Sequence, residues 1–333
     1  MLKTIQKIFF LGAFGLLISA TVSGSHSYRF RVYLKDKGNT GYSIDRPEEF
    51  LSKEALERRA QRKVAVTSSD IPISESYIDS LSSTGAEPVA QSKWMSTVVM
   101  NSPDSLVVDK LKALSFVDSV KWVWKGEADY PKNLEPDTSK FYPSDLPVAN
   151  YYGQADSQIS MLNGVKLHQA GFRGQGMRIA VIDAGFQNVN RISVFDSLRL
   201  LGTKNIVSPG QSVYESDDHG TKVLSCMAAN SPGVMVGTAP DASYWLIKSE
   251  DNRSEFPVEE DYWVAAVEFA DSVGVDVITS SLGYFMFDTE DSVYSQCSLD
   301  GKTALISKAA SMAADKGILL FSSAGNEGAS SWG

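Results

Sequence analysis

Hydrophobic and polar positions along the chain fall into two blocks, joined by a stretch with little periodicity. In the first block residues 28–35 alternate, with Phe30, Val32 and Leu34 on one face, the period-two pattern of a half-buried strand. Residues 52–63 change to helical spacing, with Ala55, Leu56 and Ala60 apolar and Arg58, Arg59, Arg62 and Lys63 polar. That basic group reads as the solvated face of the helix. Ser74 is placed to cap a second helix reaching Leu81, and residues 94–100 are rich in β-formers. Pro103 suits the first turn of a helix running to Leu114, and residues 116–123 close the block as a strand. Short strands alternating with helices predict a small α+β domain.

The join, residues 126–157, carries Pro131, Pro136, Pro143 and Pro147 and few periodic apolar positions, so it reads as an extended linker that a protease could reach. From residue 158 the pattern is different. Residues 178–182, 243–248, 275–279 and 318–322 are short apolar strands, and helices follow His219 and cover residues 261–273 and 303–314. Trp263, Ala266, Val267 and Ala270 form one stripe of the middle helix. Apolar strands alternating with amphipathic helices predict an α/β unit, a parallel sheet covered by helices on both faces. Chemistry in such a sheet gathers just past the strand ends.

Residues 1–25 follow neither pattern. Lys3 and Lys7 precede an apolar run from Ile8 to Ala20, and Thr21, Val22, Ser23, Gly24 and Ser25 follow with small side chains. This is the layout of a secretory signal, and the run is shorter than the roughly 20 residues a membrane span needs. The expected organisation is a signal peptide at 1–25, a first domain at 26–125, a linker at 126–157 and a second domain at 158–333, in a protein that is secreted or periplasmic. No other segment is apolar enough to cross a bilayer.

Composition narrows the function classes. The net charge is −9, from 40 acidic and 31 basic residues, which excludes the basic face that nucleic acid needs. Cys226 and Cys297 could pair in an oxidising compartment, but Cys226 follows Val223 at helical spacing and reads more simply as a buried free thiol. Three histidines, His26, His168 and His219, show no metal-site spacing. The acidic run Glu250, Asp251, Glu255, Glu259, Glu260 and Asp261 could favour calcium or basic substrates, but lacks calcium-loop spacing and reads as a solvated loop. The glycines at 171, 174 and 176 precede a strand where a dinucleotide fingerprint requires them to follow one.

Four loops stand where chemistry is expected. Asp183 ends a strand, His219 opens a helix, Ser281, Leu282 and Gly283 leave a strand, and Asn326 follows the last strand. Singly, these are turn and cap residues. Together, in this order, Val181-Ile182-Asp183, His219-Gly220-Thr221-Lys222-Val223 and Ala324-Gly325-Asn326-Glu327-Gly328 resemble the Asp, His and Asn motifs of the subtilisin-like serine proteases. Ser281-Leu282-Gly283 resembles their substrate-binding strand end, and Gly237-Thr238-Ala239-Pro240 a turn before a core strand.

The resemblance implies a subtilisin-like sheet, here partial, preceded by a ferredoxin-like inhibitor propeptide. It implies a secreted endopeptidase in which His219 is the general base, Asp183 orients it, Asn326 donates to the oxyanion, and residues 281–283 hold an extended peptide. The implied partners are protein or peptide substrates and the chain's own propeptide. No cofactor is required, and the calcium common in the family has no assignable ligand here. The family's nucleophile lies in a Gly-Thr-Ser-like segment, and no Gly-Thr-Ser occurs in the chain. The expectation is a C-terminally incomplete sequence, inactive as it stands, with the serine beyond residue 333. The alternative is a catalytically inactive relative that binds peptides. A Cys226 nucleophile fits poorly, since that residue is read as lying within the helix and pointing to the core.

Overall fold

The computed structural model describes residues 26–127, 150–284, 286–289, 294–298, 300–326 and 328. The signal-peptide expectation for residues 1–25, and most of the linker, lie outside the described residues.

The first unit runs β1 (His26–Leu34), α1 (Lys53–Arg62), α2 (Glu75–Ser82), β2 (Glu87–Ser92), β3 (Thr97–Ser102), α3 (Val107–Lys112) and β4 (Val117–Glu127). Its antiparallel sheet has the order β2-β3-β1-β4. The alternation in β1 divides its two faces. Phe30, Val32 and Leu34 pack with Leu81 of α2 and Leu111 of α3 in the unit's own core. Each such fully buried side chain contributes about 1.5–3 kcal/mol. On the other face Arg31 is buried and Arg29 half-buried, and both meet the second unit.

That unit runs α4 (Asp156–Met161), α5 (Gly164–Gln169), β5 (Arg178–Asp183), β6 (Arg199–Asn205), α6 (His219–Ala228), β7 (Asn230–Ser231), β8 (Met235–Val236), β9 (Ser243–Lys248), α7 (Val258–Ser272), β10 (Val277–Ser280), α8 (Leu305–Asp315) and β11 (Leu319–Ser322). Five parallel strands take the order β11-β10-β5-β9-β6. In β5, Ile179 and Val181 face a cluster containing Leu224 and Ala228 of α6, while Ala180 and Ile182 face Val267 of α7 and Ala309 of α8. A strand buried on both faces reads as a continuous apolar run, which is why β5 is legible in the sequence.

The first unit lays its sheet on α7. Val99, Val123 and Trp124 join the same core as α7 and α8. Buried charges cross the joint. Arg31 forks onto Asp261, with both bonds at 2.6 Å. Arg58 and Arg59 both bind Asp271, Arg59 also forks onto Asp70 at 2.9 and 3.0 Å, and Lys316 of the second unit reaches back to Asp70 at 2.7 Å. Arg58 and Arg59 are 1% and 2% exposed. The expectation of a solvated basic face therefore fails for them and holds for Arg62 and Lys63, which are exposed. Gly274 permits the close docking of α1: its φ is +81°, and a Cβ there would lie 2.5 Å from the Ala55 amide nitrogen.

Two further expectations are corrected. Glu250, Asp251, Glu259, Glu260 and Asp261 are buried, not a solvated loop, because α7 begins at Val258 and the first unit covers its start. Cys226 is exposed and free, as is Cys297. The inward stripe of α6 passes through Gly220, Thr221, Leu224 and Ala228, leaving position 226 outside it. Among the described residues no helix is long and apolar enough to cross a membrane.

Glu268 of α7 gives the joint a pH dependence. Its carboxylate accepts hydrogen bonds from the Ser92 hydroxyl and from the Lys93 and Trp94 amides, the latter two at 2.9 and 3.1 Å. Burial outweighs these donors and pushes the carboxyl up to about 7. A group raised in the folded state favours folding when protonated, so its contribution is present below about pH 4.3 and lost as pH rises to about 7. The wild-type melting temperature, measured relative to a Glu268→Gln variant, is expected to fall between pH 5 and pH 8. An unchanged difference would remove Glu268 as the source.

Candidate active site

Because β10, β5 and β9 are parallel neighbours, their C-terminal ends meet at one edge of the sheet. Asp183 arrives there at the end of β5 with its carboxylate fully buried. Its Oδ1 accepts the Ala184 amide at 2.8 Å. Lys248, at the end of β9, donates to the Ala184 carbonyl at 2.6 Å and to Ser216 Oγ at 3.1 Å, pinning the backbone beside Asp183.

His219 comes from the first turn of α6, where its backbone amide donates to Asp217 Oδ1 at 2.7 Å. Gly220 lets that turn sit on the exit of β5, since a Cβ there would lie 2.4 Å from the Gly185 carbonyl oxygen and 2.9 Å from Asp183 Cβ. The result is a 2.7 Å bond between His219 Nδ1 and Asp183 Oδ1, residues 36 apart in sequence. An ionised Asp183 can only accept, so Nδ1 carries the proton and Nε2 presents its lone pair. The imidazole is half exposed, with 50% of its surface accessible. Burial pushes the Asp183 carboxyl up from its usual range, against the lowering by His219 and the Ala184 amide.

Residues 281–283 leave β10 at the same edge. Ser280 pairs with Ile182 of β5 and Ser322 of β11, and its Oγ accepts from Trp263 Nε1 at 2.9 Å. Ser281 and Leu282 are half-buried, Leu282 against the core beneath, and around Gly283 a Cβ would meet nothing within 4 Å. Asn326 follows β11 at that edge and is exposed. The structure thus bonds Asp183 to His219 and aligns the other sequence-derived candidates along one sheet end.

Not every histidine belongs here. His168 is held by Tyr152 Oη at 3.1 Å and the Thr238 carbonyl at 3.0 Å, in a packed corner away from β5. Among the described residues no group of three or more His, Cys, Asp or Glu is arranged to hold a metal ion. One pair escaped the sequence reading: Tyr284 Oη donates to Glu250 Oε2 at 2.8 Å. Both lie just past strand ends, the signal that singled out Asp183, but Glu250 was absorbed into an acidic run and Tyr284 into a loop.

This arrangement can take a proton at Nε2 and stabilise the resulting cation through a buried carboxylate, which is the work of a general base awaiting a hydroxyl. Two family models match the chain: a peptidase S8 propeptide domain of Bacteroidota over residues 29–140, and the subtilase family over residues 174–332. Subtilisin E of Bacillus subtilis (strain 168) is 31% identical over 203 residues, 60% of this chain and 47% of its own. A thermostable alkaline protease of Halalkalibacterium halodurans is 31% identical over 172 residues, 51% of this chain and 41% of its own. The chain spans about half the length of the curated relatives it matches. Among solved structures, the epidermin leader peptide processing serine protease of Staphylococcus aureus aligns with a TM-score of 0.48 at 14% identity, covering 91% of this chain and 61% of that one.

Proposed function

We propose, since the chain belongs to the subtilase family, that it is precursor sequence of an exported serine endopeptidase acting through an Asp-His-Ser triad. The observation that carries this reading is the 2.7 Å bond between a buried Asp183 and a solvent-facing His219 at the end of a parallel sheet. His219 Nε2 takes the proton from a serine hydroxyl as it attacks the peptide carbonyl, then returns it to the leaving amine. Asp183 keeps the tautomer and stabilises the imidazolium. Asn326 donates its side-chain amide to the oxyanion, where one such donor is worth about 2.7–4 kcal/mol in the transition state. Residues 281–283 offer backbone groups to an extended peptide, so partners are protein or peptide substrates. The nucleophile is a serine beyond residue 333, since no Gly-Thr-Ser segment occurs before it. The first unit acts as the propeptide, and the chemistry needs no cofactor.

A fluorophosphonate probe on the full-length protein tests the reading. One serine is expected to be labelled, and the labelling to disappear in a His219→Ala variant. No labelling, together with retained binding of peptides, would instead support the catalytically inactive peptide-binding relative.

A further inference from the structure

Past β9 the chain carries Glu250 and Asp251, and the loop and first turn of α7 add Glu255 and Glu259. Four carboxylates meet here with few cations among them. Arg253 forks onto Asp251, and Lys248, hydrogen-bonded to the Ala184 carbonyl and Ser216, lends its charge to Glu250 and Asp251. Burial and the charges of Glu250 and Asp288 push Glu255 up to about 7, and burial with Glu250, Asp251 and Glu255 pushes Glu259 well above its usual range.

Glu259 is the telling residue. It is 1% exposed, its Oε2 accepts the Asp251 amide at 3.1 Å, and its Oε1 is buried with no hydrogen-bond partner. A buried carboxylate oxygen without a donor is costly, and like charges around it raise the cost. A cationic donor from outside removes both penalties.

The position of the cluster says what it would serve. Glu250 is bonded to Tyr284, the residue after Gly283, and the charge of Asp183 also reaches Glu250. The acidic cluster therefore lies past β9, on the far side of β5 from β10, and is tied through Tyr284 to the strand end proposed to hold a peptide. A compact metal cage is a poor fit, because no three-ligand group exists among the described residues. An extended cation fits better. Tyr262 and Phe256 line the same helix start and suit an alkyl stem and a guanidinium. The first unit already places one such group at the rim: the Arg29 guanidinium lies 4.1 Å from the Trp124 ring centroid and donates to Tyr262 Oη.

We propose that Glu250, Glu255 and Glu259 form a subsite for a basic side chain, arginine or lysine, of the peptide lying along residues 281–283. This rests on the protease reading above. The first unit covers the start of α7, with Trp122 and Trp124 packed on Phe256 at ring-centroid distances of 5.9 and 6.4 Å, so the cluster is uncovered when that unit leaves.

The test is hydrolysis by the full-length protein of a peptide set in which one position at a time carries arginine, lysine, citrulline, norleucine or glutamate. At one position kcat/KM for arginine is expected to exceed that for citrulline, its neutral isostere, by at least about tenfold. That ratio is expected to approach one in Glu250→Gln and Glu259→Gln. Should either variant fail to fold, Glu255→Gln, at a half-buried position, is expected to lower the ratio by itself. Hydrolysis indifferent to arginine against citrulline overturns the subsite, as does a preference unchanged in the variants. Stoichiometric calcium binding that Glu250→Gln abolishes also overturns it, by making the occupant a metal. Absence of both hydrolysis and fluorophosphonate labelling removes the protease reading, and the subsite with it.

Discussion

An Asp183→Asn variant of the full-length protein is expected to hydrolyse a peptide substrate about 10⁴-fold more slowly in kcat, with KM little changed. The reason is the tautomer. Asp183 Oδ1 receives His219 Nδ1 at 2.7 Å, which leaves Nε2 free to accept a proton. An asparagine amide turned toward Nδ1 donates, and then the imidazole proton sits on Nε2, where the substrate-side proton has to arrive. Shape and volume are nearly unchanged and Lys248 still holds the Ala184 carbonyl, while the turned amide no longer accepts the Ala184 N–H. A chromogenic peptide assay with a parallel thermal melt separates the two effects. A loss below about tenfold with an unchanged melt would show that His219 does not depend on Asp183 and would sink the triad.

The second large effect belongs to the joint between the two units. An Asp271→Ala variant is expected to destabilise the precursor by about 3–5 kcal/mol, the usual cost of leaving a buried charge unpaired. Asp271 is fully buried and binds both Arg58 and Arg59, whose side chains are equally sealed from water. Without it Arg58 keeps only backbone carbonyls, chiefly that of Val275 at 2.6 Å. A double variant, Arg58→Met with Asp271→Leu, is expected to cost much less, because it removes both charges and fills the space with apolar volume. Urea unfolding of the two variants, compared with wild type, measures the difference. Equal losses in both would mean that packing, not charge, sets the cost.

Much of this architecture was legible in the chain, and what was missed has a physical pattern. Strands β1, β5 and β9 declared themselves through apolar alternation or apolar runs, because each is flanked on both sides in its sheet. The two long strands not foreseen, β2 and β6, are both sheet edges. β6 is largely exposed along its length and β2 contains Pro88, so neither carries an alternating apolar signal. Arg58 and Arg59 were misread because a charged helical residue defaults to solvent, and the carboxylate that buries Arg58 lies 213 residues away. The Asp183 and His219 positions were readable from motifs at a strand end and a helix start. The bond between them was not, since it depends on how α6 settles on the exit of β5. Cys226 was misplaced by assuming that any residue three positions from an apolar one shares its face.

The exchange of charge across the joint has a consequence for how such a precursor can change over time. Arg58 and Arg59 give cations to the second unit, and Lys316 returns one to Asp70. Neither unit can alter its share alone. A first unit borrowed from a relative with apolar residues at positions 58 and 59 would cover Asp271 without neutralising it, and would leave Lys316 facing whatever stood at position 70. The two units are therefore matched to each other at these positions. Chimeric precursors should mature only when these positions travel together.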